Sequence, residues 1–556
     1  MLAVLCGAAL YAAACTDPAT STTRRAGPSL AQLPDVDVNA VLAHTKTLSS
    51  DEFEGRAPGT EGERRTLDYL VGEFTKAGLK PGNTDGTFIQ RVPLVGITPT
   101  PASLVFHHGA HRQTLKWKDD VVAWTKHVTE QASLDASEVV FVGYGVVAPE
   151  FNWDDYKGVD VKGKTLVMLV NDPPVPDPAS PNELDPKTFG GRAMTYYGRW
   201  TYKFEIGAMK GAAGVILVHE TGPAGYGFNV VQGKIGEQFD LVTPDKNMGR
   251  VAIEGWITLD QTKKLMRMAG QDFDVLKKQA ATREFKPVAL GVTASMTIRN
   301  TLRTIESANV VAKLEGADPA LKDEYVVYTA HWDHFGRSGE GIFHGARDNA
   351  SGTSALIEMA RAFTKASPPP RRSILFVAVT AEEQGLLGSQ YYSVTPIYPL
   401  TKTLAEINMD ELNVNGRTKD LTLIGNGASD LDDYARDAAK EQGRTVHGDA
   451  EPEKGYYYRS DHFNFAKLGV PALNPDSGVE FVGKPTEYGQ KVRDEWTEHT
   501  YHTPRDVVTP QWDLSGAAED LKVLFAVGYR VAQASTFPQW KPGNEFKAIR
   551  DAMFRQ

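Results

Sequence analysis

Two short apolar runs in the second half of the chain constrain its fold more than any other feature. They are EYVVYTA at 324–330 and SILFVAVT at 373–380. Runs of this kind are typical of strands that are buried on both faces of a parallel sheet. The segment between them, 351–366, has one apolar helical face, formed by Ala355, Leu356, Met359, Ala360 and Phe363. A strand, a helix and a strand at this spacing predict a parallel βαβ unit, and hence an α/β fold with helices flanking the sheet.

Side chains that can bind metals or transfer protons follow these two runs and recur in later segments. In open α/β sheets, ligands bind beyond the carboxyl ends of the strands, so residues that are distant in the sequence can meet there. The candidates that we expect to converge are His331, Asp333, Asp348, Glu382, Glu383, Asp410 and His502.

This candidate set offers nitrogen and oxygen ligands but no sulfur. The chain has two cysteines, Cys6 and Cys15, and both lie near its start, so the rest of the chain has no thiolate site and no cysteine nucleophile. Histidine with carboxylate suits Zn²⁺, and carboxylates that can bridge suit a centre of two metal ions.

The length and charge of the chain exclude some classes of function. At 556 residues it is expected to form two domains, one inserted into the other. Its 60 Lys and Arg against 70 Asp and Glu give a formal charge of −10, without a basic block, so we expect no nucleic-acid partner. Residues 1–33 begin with an apolar run, and such an N-terminal segment is typical of an export signal and a tether. YAAAC resembles a lipoprotein processing site, which predicts a periplasmic or cell-envelope protein that contacts the membrane only through a lipid on Cys15; plain secretion is the alternative.

The pattern of apolar and turn-forming residues changes near residue 136 and again near residue 294. Between these points EVVFVGYGVV, KTLVMLV and GAAGVILV are short β-rich runs separated by Gly, Pro and Asp. We therefore predict an inserted β-rich domain at 136–294, within a main domain formed by residues 34–135 and 295–556.

The motifs HWDH, DNASG, AEEQGLLGS, NMD and YHTPRD resemble, in this order, those of the two-zinc aminopeptidases and glutamate carboxypeptidases. The resemblance implies the zinc exopeptidase fold, with a mixed, mostly parallel central sheet, and two Zn²⁺ per chain. One ion would be held by His331 and Asp410 and the other by Glu383 and His502, with Asp348 bridging them. The inserted region resembles a protease-associated domain, for which we expect a lid or gating role.

The same resemblance implies roles for the neighbouring residues. Glu382 would be the general base acting on a metal-bridging hydroxide or water, and Asp333 would accept the second N–H of His331. Tyr501 would stabilise the tetrahedral intermediate. His331, rather than His334, matches the metal position of the family, and a cis peptide bond is expected between Asp348 and Asn349. The substrate loop would contain Arg459, Asp461 and His462.

The function implied is that of an exported metallo-exopeptidase that removes N-terminal residues from peptides. Two other enzyme classes on the same scaffold stay open: a carboxypeptidase, for which Arg459 could bind the terminal carboxylate of the substrate, and a glutaminyl cyclase. A binding module without catalysis is a remote alternative, because none of the five presumptive ligands is missing.

Overall fold

A computed structural model describes residues 28–233 and 236–555. The predicted export signal and the cysteine that would carry the lipid, Cys15, lie outside these described residues. Within them, no helix is long and apolar enough to cross a membrane.

The main part of the protein is built on a mixed sheet. Its strands are the end of Val288–Leu314, then Tyr325–His331, Ser373–Val379, Thr403–Asn408, Asp420–Ile424, Thr445–Gly448 and Ala472–Ser477. Tyr325–His331 lies between Ser373–Val379 and Thr403–Asn408 and is parallel to both. The outer pairings include antiparallel ones. The predicted mixed, mostly parallel α/β sheet is therefore confirmed.

Helices cover this sheet. They are Val38–Leu48, Glu61–Lys76, Gly352–Thr364, Leu387–Val394, Asp430–Glu441, His462–Lys467, Tyr488–His499, Ser515–Gln533 and Lys547–Met553. The helix predicted at 351–366 is observed at Gly352–Thr364. Its predicted apolar face is buried and packs with Phe376 of the sheet and Phe525 of the helix Ser515–Gln533. This burial holds the βαβ unit together, because apolar area removed from water is the main stabilising contribution.

The residues that precede and form the β-rich region have a hydrophobic core of their own, from Leu104 to Ile298, joined by a few side chains from the end of the chain. Its strands are Ile89–Pro101, Leu104–His108, His111–Leu115, Val121–Trp124, Gln131–Phe141, Thr165–Leu169, Gly214–His219, Gln238–Leu241 and Ile253–Thr258. Its helices are Trp200–Met209, Thr221–Ala224, Phe228–Gly233, Leu259–Met268 and Phe273–Ala280. Two-residue strands at Lys80–Pro81, Val147–Ala148 and Trp153–Asp154 and the hairpin Gly336–Ser338 with Gly341–Phe343 complete the described strands.

One long strand, Val288–Leu314, joins this region to the main sheet. It pairs first with Gln131–Phe141, then with Ile89–Pro101, and finally with Ser373–Val379. The boundary expected between residues 294 and 295 lies inside this strand, and the one between 135 and 136 lies inside Gln131–Phe141. The division into domains stays a prediction, but the backbone hydrogen bonds of the sheet are continuous across it.

Candidate metal centre and active site

The carboxyl ends of the central strands bring the candidate ligands together. His331 is the last residue of its strand, Glu382 and Glu383 follow Val379 closely, and Asp410 comes two residues after Asn408. The parallel pairing of these three strands places their ends at one edge of the sheet.

Two groups of ligand atoms share Asp348. In the first group, Nε2 of His331 lies 3.2 Å from Oδ1 of Asp348 and 3.1 Å from Oδ1 of Asp410. In the second, Nε2 of His502 lies 3.1 Å from Oδ2 of Asp348 and 3.1 Å from Oε2 of Glu383. Asp348 thus directs one carboxylate oxygen to each group, which is what a bridging ligand requires.

The distances and the chemistry of these groups fit divalent cations. Ligand atoms around a tetrahedral Zn²⁺ lie about 3.3 Å apart when each metal–ligand bond is about 2.0–2.1 Å. Two carboxyl groups beside the ligands have too little positive charge nearby for their ionised forms, since burial raises the pKa of Glu382 well above its ordinary value and that of Asp333 to about 8. Oδ2 of Asp333 is buried, and no hydrogen-bond partner for it is found within residues 28–233 and 236–555. A cation at this position would compensate this negative charge.

The loop that carries Asp348 is fixed from two sides. The carboxylate of Asp506 accepts the backbone N–H groups of Arg347 and Asp348, at 2.9 and 3.1 Å. The side chain of Asn349 donates to the carbonyl of Met409 and accepts the backbone N–H of Glu411, so it ties this loop to the one that carries Asp410. The peptide bond between Asp348 and Asn349 is cis, as the resemblance implies.

Glu382 and Glu383 have different surroundings although they are adjacent. Glu383 is almost fully buried; its Oε1 lies 2.5 Å from Nδ1 of His334, and its Oε2 faces His502. No hydrogen bond to the side chain of Glu382 is found among the described residues, and its Oε2 lies 3.9 Å from Nε2 of His331. Glu383 is therefore held as a ligand would be, whereas Glu382 presents a free carboxylate to the same space.

The contact between His331 and Asp333 differs from the expected one. Nδ1 of His331 lies 3.2 Å from the backbone carbonyl oxygen of Asp333 and 3.8 Å from its Oδ1. The carboxylate of Asp333 instead accepts the backbone N–H of Glu382 at 3.0 Å. We therefore correct the expected role: the main chain of Asp333 orients His331, and its side chain positions the Glu382 backbone.

Residues 309–526, which contain all five presumptive ligands, match the model of peptidase family M28. Aminopeptidase NAALADL1 from Mus musculus is 36% identical over 125 residues, which are 22% of this chain and 16% of that protein. A probable zinc metalloprotease from Pyrenophora tritici-repentis (strain Pt-1C-BFP) is 27% identical over 284 residues, or 43% of this chain and 63% of that protein. The chain therefore spans less than two thirds of the length of either relative.

Among solved structures, the aminopeptidase from Aneurinibacillus sp. strain AM-1 is 18% identical to this chain, with a TM-score of 0.46. The alignment covers 92% of this chain and 95% of the aminopeptidase.

Tyr501 and His502 of the M28 segment form a stacked pair. Their ring centroids lie 3.7 Å apart, with an angle of 24° between the planes. Tyr501 is 39% exposed, so its ring lies at the open side of the site. The pair places a phenol beside the second ligand group.

The three residues expected in the substrate loop lie in different surroundings. Arg459 is exposed and donates to the carbonyl of Lys454 at 2.6 Å. Asp461 is buried and accepts a hydrogen bond from the hydroxyl of Ser389 at 2.5 Å. His462 is also buried and packs edge-to-face on Tyr457, and its contact with substrate stays a prediction.

Three residues near the M28 site were given no role from the sequence. Ser460 donates to Oδ2 of Asp410 at 2.6 Å, and Asp506 holds the Asp348 loop as described. Arg56, fully buried, donates to the carbonyls of Trp332, His344 and Gly345 and so braces the turns beside His331 and Asp348. Arg56 lies in EGRAPGTEG, outside the motifs named above, whereas Asp506 is the last residue of YHTPRD, and this was the signal available in the sequence.

Proposed function

We propose that the protein is a zinc aminopeptidase that binds two Zn²⁺ and hydrolyses N-terminal residues from peptides. One observation carries the proposal: the two oxygens of Asp348 face two separate pairs, each made of a histidine and a carboxylate. His331 and Asp410 would hold one ion, and His502 and Glu383 the other. The M28 match and the names of the relatives support this assignment.

Zn²⁺ supplies Lewis acidity, which polarises a carbonyl group and activates water. The residues of the chain contribute positioning and proton transfer. Oε2 of Glu382, for which the described part of the chain offers no hydrogen-bond partner, would accept the proton of the attacking water and pass it to the leaving amine. The same oxygen lies 3.9 Å from Nε2 of His331, so it faces the presumptive metal site.

The hydroxyl group of Tyr501 would donate a hydrogen bond to the oxyanion that forms on the substrate carbonyl. Its stacking on His502 fixes the ring next to the second ligand group. The phenol reaches the site from its open side, where a peptide has to enter.

The negative surroundings support a substrate with a free amino terminus. Carboxylates of Glu382, Asp348 and Asp410 lie around His331, and an ammonium group would be attracted to them. Acetylation removes this charge, so an acetylated peptide should be cleaved far more slowly than the free one. Equal rates for the two peptides would overturn the aminopeptidase assignment. Export to the cell envelope remains part of the proposal, resting on the first residues of the sequence, and cell fractionation tests it.

A second candidate, a carboxypeptidase, is favoured by one observation. Arg199 from the β-rich region lies against the Gly455–Tyr458 turn, close to Arg459. Its Nε is buried without a hydrogen-bond partner, and no ion pair is found for Arg199 or Arg459 among the described residues. Two unpaired guanidinium groups could bind a terminal carboxylate. Peptides with free and amidated carboxyl ends separate the two candidates, because only a carboxypeptidase loses activity on amidation. The gating role expected for the β-rich region stays a prediction.

A further inference from the structure

A chain of hydrogen bonds runs from a buried carboxyl group, Glu406, to the presumptive ligand Asp410. Oγ1 of Thr329 lies 2.5 Å from Oε1 of Glu406 and 2.7 Å from Oδ1 of Asn408. Nδ2 of Asn408 lies 2.6 Å from Oγ of Ser460, which in turn lies 2.6 Å from Oδ2 of Asp410. The mechanism above makes no use of Glu406, which is fully buried on the strand Thr403–Asn408.

The positions of the protons in this chain of hydrogen bonds follow from its contact with Asp410. The Asp410 carboxylate can only accept, so the single hydroxyl proton of Ser460 points to it. Ser460 must then receive its other hydrogen bond from a donor, which is the NH₂ group of Asn408. A second acceptor, Oδ1 of Asn474, lies 3.4 Å from the same NH₂ nitrogen and agrees with this orientation.

The orientation of Asn408 decides the protonation of Glu406. Oδ1 of Asn408 faces Thr329, so the one hydroxyl proton of Thr329 is donated to that oxygen. The remaining contact of Thr329, at 2.5 Å from Oε1 of Glu406, is a hydrogen bond only if the carboxyl group carries the proton. If Glu406 were ionised, the single hydroxyl proton of Thr329 would face two acceptors, Oε1 of Glu406 and Oδ1 of Asn408.

The surroundings of Glu406 favour the same protonation state. No lysine, arginine or histidine among the described residues forms an ion pair with Glu406, and its Oε2 is buried without a partner. Burial, with the nearby charge of Asp461, raises the pKa of Glu406 well above its ordinary value. An unpaired buried carboxylate would be far more costly than a neutral acid.

We propose that Glu406 is a neutral carboxylic acid at pH 7 and a positioning residue that acts on Asp410 through Thr329, Asn408 and Ser460. Because the donors all point toward Asp410, Oδ2 of Asp410 is occupied by Ser460 and Oδ1 is left facing His331. The part of the inference that concerns metal binding rests on the proposed function. The protonation state of Glu406 does not.

Ionisation of Glu406 would reverse the chain. Thr329 would donate to Glu406, the amide of Asn408 would turn its NH₂ toward Thr329, and Ser460 would donate to the amide oxygen. Asp410 would then lose its donor. Loss of an outer hydrogen-bond partner typically lowers metal affinity about 10–100-fold.

Infrared difference spectroscopy tests the protonation state directly. The spectrum of the purified protein at pH 7 minus that of Glu406→Gln should contain the C=O band of one protonated carboxylic acid. Other protonated carboxyl groups cancel in the difference. A carboxylate band in its place would overturn the inference, whether or not the protein binds zinc.

Zinc affinity, measured by competition with a chromogenic chelator, tests the positioning role. Thr329→Val should weaken zinc binding by about 10–100-fold. Thr329→Ser, which keeps the hydroxyl group, should bind zinc with the affinity of the wild type. Glu406→Gln, which keeps a donor, should lie within about threefold of wild type, while Glu406→Leu should resemble Thr329→Val.

The matched control is Thr165→Val, a buried strand threonine of the β-rich region whose hydroxyl bonds Ser137. Thermal unfolding of all variants identifies those that fail to fold. If Glu406→Gln loses as much zinc as Glu406→Leu, a negative charge is needed and the inference is wrong. If wild type binds no zinc at all, the proposed function and the positioning role both fail, and the infrared result still decides the protonation of Glu406.

Discussion

Exchanging each of the two adjacent glutamates, Glu382 and Glu383, for glutamine should lower activity in both variants but should lower zinc content in only one of them. Glu382→Gln is expected to retain zinc, because no hydrogen bond to the Glu382 side chain is found among the described residues and its Oε2 lies 3.9 Å from Nε2 of His331, farther than the ligand contacts. Glu383→Gln is expected to lose zinc, because both of its oxygens are engaged, one with His334 and one with His502.

The structure gives the size of each effect. Glu382→Gln removes only a proton acceptor, so kcat should fall by roughly 10²–10⁴-fold, the usual contribution of a positioned general base. This corresponds to about 3–5 kcal/mol of transition-state stabilisation. Glu383→Gln replaces one carboxylate oxygen by NH₂, which either opposes His334 or faces the metal. Zinc affinity should therefore fall by more than the roughly 10–100-fold expected for an outer partner.

The assay combines elemental analysis of zinc with kcat and KM on one peptide with a free amino terminus. Gln384→Glu, at the next position, controls for altered charge on this turn and should change neither zinc content nor kcat by much. Zinc loss in Glu382→Gln with retention in Glu383→Gln would refute the reasoning, because the two roles would then be exchanged.

Three further predictions concern the surroundings of the site. Arg56→Met should lower the free energy of unfolding by at least roughly 3 kcal/mol, since it leaves buried carbonyls without donors; urea unfolding beside the exposed control Arg64→Met checks this, and equal effects would contradict it. Asp506→Asn should weaken zinc binding about 10–100-fold through the Asp348 loop, and unchanged affinity in a chelator titration would count against the role of Asp506. Burial raises the pKa of Glu545 from 4.5 to about 7, so the folded state retains a proton that the unfolded state releases, and stability falls as the pH rises from about 4.5 to 7. Glu545→Gln should therefore be more stable than wild type by about 3 kcal/mol at pH 8 and equal to it near pH 4; a pH-independent difference in unfolding free energy would contradict this.

The core of the fold could be predicted because its signals are local. The runs at 324–330 and 373–380 are apolar throughout, and the helix between them has a single apolar face. Adjacent strands with an intervening helix leave few possible topologies. The polar residues after each strand then had to lie at one edge of the sheet, and the structure places them there.

The strand Val288–Leu314 shows what sequence patterns do not reveal. It has 27 residues and successive partners far apart in the chain. Its change from one sheet region to the next is not marked in the local sequence, because the paired N–H and C=O groups belong to the backbone that nearly all residues share. The predicted boundary at 294/295 consequently fell within a continuous element.

The supporting residues were missed for a related reason. Thr329, Asn408 and Ser460 are common residue types, and only their distances give them a role. The acceptor for Nδ1 of His331 was predicted as the carboxylate of Asp333, but the side-chain rotamer of Asp333 directs this carboxylate to the backbone of Glu382. Such choices depend on packing, which a motif does not encode.

Anomalous diffraction at the zinc absorption edge, from crystals of the zinc-loaded protein, tests the central claim most directly. The account predicts two peaks per chain on either side of Asp348, one beside His331 and Asp410 and the other beside Glu383 and His502. A single peak, or peaks away from Asp348, would contradict the assignment of this carboxylate as the bridge between two zinc ions.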